Sequence, residues 1–370
     1  MESRRPSGGL TVVLRMRRWL GALAVVACAA CGSDSGQPTS VSIIPVAPMG
    51  DTTALRAYAA KRSLFIGAAI DRGFRYSGSD GVTFKTTMTH QFNILTPEND
   101  MKFDHIHPGR TTYRFEPSDS LVAFAEANGM RVRGHNLIWH SQLAAWLTSG
   151  TWTKDEAKAL LVDHITQVVK HFQGHLMEWD VVNEILGDNG ALRSGFWLDH
   201  IGAEYVELAF RTARAADPTV GLFYNDYNIE GINAKSDSAL AFVKDLLTKG
   251  VPITGVGFES HFQLNGVPST LGANIARFAA LGLKVHITEL DVRMQTPSTA
   301  ATLQTQAQNY RDVVSACTQS PACDVVVIWG FTDKESWVPS AFPGWGEALI
   351  FDSSYQPKPA FTSLQSLLKN

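Results

Sequence analysis

Two glutamates close apolar runs in this chain of 370 residues. Glu184 ends Glu178-Trp-Asp-Val-Val-Asn-Glu184, and Glu289 ends Val285-His-Ile-Thr-Glu289, with Asp291 two residues further on. A lone carboxylate after such a run is commonly half of a structural ion pair. Two brought to one place divide the work of displacement at an acetal carbon. One attacks while the other protonates the leaving oxygen and later activates water, which needs the pair about 5–5.5 Å apart. Other polar groups close further runs: Glu98-Asn99 with Lys102 beyond, His135 and His140, Asn225-Asp226, Glu259 and His261, and Asp333.

The elements that must carry these residues are short and β-rich. They are Leu64–Ile70, Phe92–Leu95, Arg131–Trp139, Glu178–Asn183, Val220–Asn225, Gly255–His261, Val285–Leu290 and Val325–Phe331. Between them lie stretches of helical period, such as Lys154–Phe172, Glu204–Ala216 and Ala234–Lys249. In the first of these, Ala157, Leu160, Leu161, His164, Ile165, Val168 and Val169 share one face at i, i+3, i+4 spacing. Strands alternating with helices over one domain predict an α/β fold, a (β/α)8 barrel. A doubly wound open sheet is the rival, but it advertises a Gly-rich phosphate turn after its first strand, and none is present. In a barrel, functional residues collect where strands end. Seven of the eight runs end on polar or ionisable groups, as that rule requires.

Composition narrows the function. The chain carries 32 Lys and Arg against 35 Asp and Glu, without a basic stripe for nucleic acid. Nine Trp offer flat faces for stacking. His90, His105, His107 and His135 suggest a metal, yet no Cys or carboxylate completes a set at ligand spacing. Neither metal nor cofactor is expected.

The first thirty residues are set apart. Arg15, Arg17 and Arg18 precede an apolar run from Leu20 to Ala30, the layout of a bacterial export signal and too short for a bilayer span. Val25-Val26-Ala27-Cys28 and Ala29-Ala30-Cys31-Gly32 each resemble a lipobox, so either Cys28 or Cys31 is a lipidation candidate; an ordinary secretory signal is the alternative. Residues 32–50 read as a polar tether and 51–370 as one catalytic domain. Cys317 and Cys323 flank a short Pro-containing loop that an oxidising compartment would close as a disulfide.

The motifs together resemble glycoside hydrolase family 10. Trp179-Asp-Val-Val-Asn-Glu184 is similar to its acid/base motif and Ile287-Thr-Glu-Leu-Asp291 to its nucleophile motif. Further similarity lies in Phe92–Lys102, Arg133-Gly-His-Asn-Leu-Ile-Trp-His140, Tyr224-Asn-Asp-Tyr-Asn228, Gly255–His261, Trp329–Trp337 and Leu349-Ile-Phe-Asp with Pro357-Lys-Pro-Ala360. The resemblance implies a retaining endo-β-1,4-xylanase acting on xylan and xylo-oligosaccharides, with Glu184 as acid/base and Glu289 as nucleophile. It implies that Asn183 binds the 2-OH of the sugar cleaved, that His261 holds Glu289 with Asp291 behind it, and that Glu98, Asn99 and Lys102 bind sugars on the non-reducing side. By the same resemblance His135 and Trp139 line the cleavage subsite, Trp329 and Trp337 roof it, and His140 is structural. Asn225, Asp226 and Tyr227 either touch sugar or shape a loop. Two positions depart from the family pattern: Phe103 stands where Trp is common, and Glu259 where Gln is usual. Beside an ionised Glu289, Glu259 is expected to stay protonated. A β-1,4-glucanase and a glycan-binding lipoprotein without turnover are the rivals. The expected protein is an exported monomer, either secreted or held at the cell envelope, touching membrane only through a lipid anchor.

The leader makes its own prediction. Full-length protein expressed in a bacterial host should partition into the detergent phase and carry diacylglycerol on Cys28 or Cys31. Soluble enzyme cleaved at a residue other than Cys would refute the anchor.

Overall fold

A computed structural model describes residues 52–370. The leader, with Cys28 and Cys31, and the tether lie outside the described residues. Eight strands follow in order: β1 Phe65–Ile70, β2 Ile94–Pro97, β3 Arg131–Gly134, β4 Glu178–Asn183, β5 Gly221–Asp226, β6 Gly255–Phe258, β7 Lys284–Gln295 and β8 Val325–Ile328. Each pairs in parallel with the next, and β8 pairs in parallel with β1, so the sheet closes on itself. A helix follows every strand: α1 Gly78–Gln91, α2 Glu116–Ala127, α3 Lys154–His171, α4 Glu204–Ala216, α5 Ala234–Thr248, α6 Leu271–Ala279, α7 Ala300–Thr318 and α8 Pro359–Lys369. This is the expected (β/α)8 barrel.

Strand parity decides what each residue meets, because alternate side chains point to opposite faces. Ile66, Ala68, Leu95, Val132, Trp179, Val181, Leu222, Tyr224, Val256, Phe258, Val285, Ile287, Val326 and Ile328 belong to the large core shared with the helices. Phe65, Ile94, Val325 and Val327, of opposite parity, form a separate small cluster inside the ring. Arg133, Glu178, Asp180, Asn225, His286 and Thr288 have the inward parity and are all buried. The interior is crowded enough to demand glycine at Gly257, where a Cβ would stand 2.0 Å from Asn225 Oδ1.

The predicted helix starts and stops hold to within two residues. Thr153 caps α3 in a capping box with Glu156, and the predicted face is buried except for half-buried Leu160. Asn233 with Ser236, and Thr299 with Thr302, do the same for α5 and α7. The strands were less well bounded. The third run stops at Gly134, where a cis peptide joins His135 to Asn136. The sixth stops at Phe258, and His261–Gln263 forms a separate short strand on β7. Apolar content marks where such runs lie but not where the chain leaves the ladder. Cys317 and Cys323 are joined, tying the end of α7 to the start of β8. Phe103 is buried, its ring 4.3 Å from that of His164.

At the floor of the ring His286 Nδ1 donates to Glu178 (3.0 Å) and Nε2 to Asp324 (2.8 Å), with Phe223 stacked on the imidazole. Burial opposes a charge here, but Glu178 and Asp324 outweigh it and raise His286 to about 9. A histidine charged more readily folded than unfolded stabilises fully below its ordinary pKa near 6.5 and loses that contribution as pH climbs through about 9. The loss is on the order of 2–3 kcal/mol. Urea unfolding of wild type should therefore weaken between pH 6 and pH 10 by more than that of His286→Leu. Equal pH slopes would refute the pairing.

Candidate active site

The C-terminal ends of β4 to β7 converge. At Glu184, one residue past β4, the backbone turns to φ +50° and leaves the ladder, its N–H bonded to the Asn225 carbonyl at 2.8 Å. Glu289 lies within β7 and is buried, so its carboxylate depends on protein partners. Asn225 Nδ2–H donates to Glu289 Oε1 at 2.8 Å, and His261 Nε2–H faces Glu289 Oε2 at 3.2 Å. His261 is oriented in turn: its Nδ1–H donates to Asp291 Oδ2 at 2.8 Å, where the Trp337 indole N–H also lands at 2.8 Å. Burial lowers the basicity of His261, but Asp291 and Glu289 outweigh it and raise it to about 10.

These surroundings push the two glutamates in opposite directions. Burial raises Glu289, yet His135, the hydrogen bond from His261 and the Arg133 guanidinium overcome it and hold the carboxyl at about 2. Glu184 is raised to about 7 by burial and then by the charge on Glu289, with the nearby Trp139 indole acting the other way. Glu259 is 2% exposed and is raised well above the usual range by burial first and Glu289 next. That favours its protonated form, the direction expected. The surroundings thus favour the charged form of Glu289 and the neutral forms of Glu184 and Glu259.

The other predicted residues divide. Asn183 accepts from Asn225 Nδ2–H at 2.8 Å, which leaves its own amide N–H group free to donate. His135 Nδ1–H donates to Asp180 at 2.8 Å, and its ring meets the Trp329 ring edge to face at 5.0 Å. Lys102 donates to Asn99 Oδ1 (3.0 Å) and lies 4.8 Å from the Trp139 ring centre and 6.0 Å from that of Trp329. Glu98 is raised to about 7 by burial, with Lys102 opposing. His140 Nε2 stands 3.9 Å from Glu184 Oε2, beyond hydrogen-bond reach, and burial lowers it to about 4. It is a neutral neighbour. Asp226 is held by Lys235 at 2.7 Å and Tyr224 at 2.6 Å and shapes its loop, while Asp333 pairs with Lys358 at 2.9 Å, away from the pair.

Sequence reasoning left Asn225 open between sugar contact and loop shaping, and gave Arg133, Gln142 and Asp71 no role. Asn225 Nδ2 touches Glu289, Glu259 and Asn183 at once, and its side-chain Oδ1 accepts from the Thr288 hydroxyl at 2.6 Å. Arg133 joins Glu178 and Asp180 beneath the site. Gln142 accepts from Lys102 at 2.8 Å and Asp71 from Asn99 at 3.1 Å, so they orient the Lys102 cluster. The available signal for Arg133 was parity, two residues before His135 on one strand. Gln142 and Asp71 stand on loops and carried none.

A closed parallel barrel whose mouth holds carboxylates of opposite protonation between indole walls has the build of a barrel glycoside hydrolase. The chain belongs to glycosyl hydrolase family 10, whose sequence pattern matches residues 54–367. It is 45% identical over 317 residues to endo-1,4-beta-xylanase B of Thermotoga neapolitana, covering 85% of this chain and 91% of that protein. Against endo-1,4-beta-xylanase D of Talaromyces funiculosus it is 41% identical, over 83% of this chain and 75% of that one. It superposes on native xylanase 10B from Thermotoga maritima with a TM-score of 0.83 at 45% identity, covering 85% and 98% of the two chains. Xylanase 10B from Thermotoga petrophila in complex with xylobiose gives 0.83 at 44%, covering 85% and 97%.

The Asn225 amide is the shared support of this cluster. Asn225→Ala strands buried acceptors on three residues and should destabilise the fold by about 1–3 kcal/mol in urea unfolding. A change under about 0.5 kcal/mol would mean the amide contributes little to holding these groups.

Proposed function

We propose that the chain hydrolyses internal β-1,4-xylosidic bonds of xylan with net retention, Glu289 attacking and Glu184 serving as acid and then base. The observation that carries this reading is the split between Glu289, held at about 2, and Glu184, raised to about 7. Retention needs an ionised nucleophile beside a carboxylic acid that still has its proton when the bond breaks. The split also accounts for the second half-reaction. Once Glu289 is esterified its charge is gone, and with it part of what kept Glu184 protonated. Glu184 then becomes a better base toward water.

Xylan as substrate is supported by relatives named endo-1,4-beta-xylanases and by one related structure that binds xylobiose. In the same reading Asn183 donates to the 2-OH of the sugar under attack, and Glu98, Asn99 and Lys102 bind hydroxyls on the non-reducing side. Trp139, Trp329 and Trp337 stack on pyranose faces. An open groove of about 690 Å³, lined by Asn228, Asn233, Lys235, His261, Gln263 and Arg293, accommodates the chain on the other side, as an endo-acting enzyme needs. The leader supports work outside the cytoplasm on a tether from Cys28 or Cys31.

Glu289→Ala should lose turnover on every substrate by a factor on the order of 10⁴. Glu184→Ala should lose about 10²–10⁴ on xylan yet still form glycosyl-enzyme from aryl xylobiosides with good leaving groups. Since Glu184 must begin protonated, wild-type kcat/KM should fall above about pH 7, and that limb should vanish in Glu184→Ala. Assays run on xylan beside carboxymethylcellulose separate xylanase from glucanase. A first-formed α-anomer in an NMR time course, or a turning-over Glu289→Ala, would overturn the reading.

A further inference from the structure

Three donor atoms converge at this site in a way hydrolysis does not require. Glu259, His261 and Glu289 each offer a ligand atom, all within 4.8 Å of one another. Their supports are set for the purpose. Asn225 Nδ2–H takes the Oε1 atoms of both glutamates, at 2.8 Å for Glu289 and 3.2 Å for Glu259. That leaves both Oε2 atoms toward His261 Nε2, at 3.2 Å and 3.9 Å. Glu259, 2% exposed, turns Oε2 toward His261 Nε2 at 3.9 Å, beyond hydrogen-bond reach. The far nitrogen of His261 is anchored by the Asp291 carboxylate, the second-shell contact that fixes metal-binding imidazoles.

The geometry points to a site for a divalent transition-metal ion of the zinc or copper kind, held by Oε2 of Glu259, Nε2 of His261 and Oε2 of Glu289. Metal–ligand bonds of about 2.0–2.2 Å place tetrahedral donors about 3.4 Å apart, so His261 and Glu289 are already near that spacing at 3.2 Å, while the Glu259 carboxylate must move in from 3.9 Å. The His261 side chain is 16% exposed, which leaves water a fourth position. One nitrogen with two carboxylate oxygens suits zinc and copper; calcium and magnesium prefer six or more oxygens. Binding releases one proton from His261 Nε2 and one from Glu259 to solvent, while Glu289 is already ionised. Only ions that bind imidazole strongly displace those protons. The ion is no cofactor: it sits on the oxygen with which Glu289 reacts, so it makes hydrolysis reversibly metal-sensitive. That consequence rests on the function proposed above; the binding does not.

The test uses the full-length chain, stripped with EDTA and dialysed, titrated with zinc chloride in a calorimeter with and without saturating xylobiose. Zinc should bind once at the site, compete with xylobiose and be removed by EDTA, and magnesium should give no heat. Glu259→Gln and Glu259→Ala should each weaken zinc by at least about tenfold. Unchanged zinc affinity in either folded variant, or zinc binding indifferent to xylobiose, would overturn the site and point to exposed pairs such as His171 with Asp119. A metal-free enzyme that neither binds xylobiose nor cleaves xylan would defeat the proposed function instead. The zinc comparison between wild type and Glu259→Gln would still decide the site.

Discussion

A carboxylate kept ionised in a nearly water-free place needs partners for its charge, and Glu289 is where this barrel meets that need. At 5% exposure its charge cannot be left to solvent. It is met by hydrogen bonds from the Asn225 amide and His261, beside the His135 ring at 3.8 Å. Each of those is fixed by something deeper. Asp291 and the Trp337 indole fix His261, Asp180 fixes His135, and Arg133 joins Asp180 to Glu178. The polar interior of the barrel is a chain of such obligations, descending from the mouth to His286 and Asp324 at the floor.

The same field explains why neighbouring carboxyls differ. Burial first, and then the charge on Glu289, raises Glu184 to about 7 and Glu259 well above the usual carboxylate range. They are raised for related reasons but differently placed. Glu184 keeps part of its surface open, with a side chain 18% exposed. Glu259 is enclosed and tied through Asn225 to Glu289. An acid at this position offers an ionisable oxygen where an amide would offer only a neutral one.

The fold was legible because its physics is local. The strand face that meets the helices must be apolar, and the helices lying on it must be apolar on one stripe, so both patterns are written in the chain. Caps such as Thr153 with Glu156 are local as well. The ends of β3 and β6 were not legible, since a strand ends where pairing ends and pairing belongs to the neighbouring strand. The family motifs also singled out Glu184 and Glu289 before any coordinates, although Glu289 lies within β7 rather than at its end.

The sequence alone determined the barrel, the two carboxylates and the residue types gathered at its mouth, because period, parity and motif are properties of one stretch of chain. Tertiary structure decided which of them meet. Asn225, open between sugar contact and loop shaping, became the common donor to Glu289, Glu259 and Asn183 only once β4, β5, β6 and β7 were side by side. His140 and Asp226 proved to be neighbours and supports, since reach and burial depend on residues far along the chain. Protonation belongs to the same category: a carboxyl's charge state follows from the field of everything folded around it, and three glutamates of one type acquire different states by position alone.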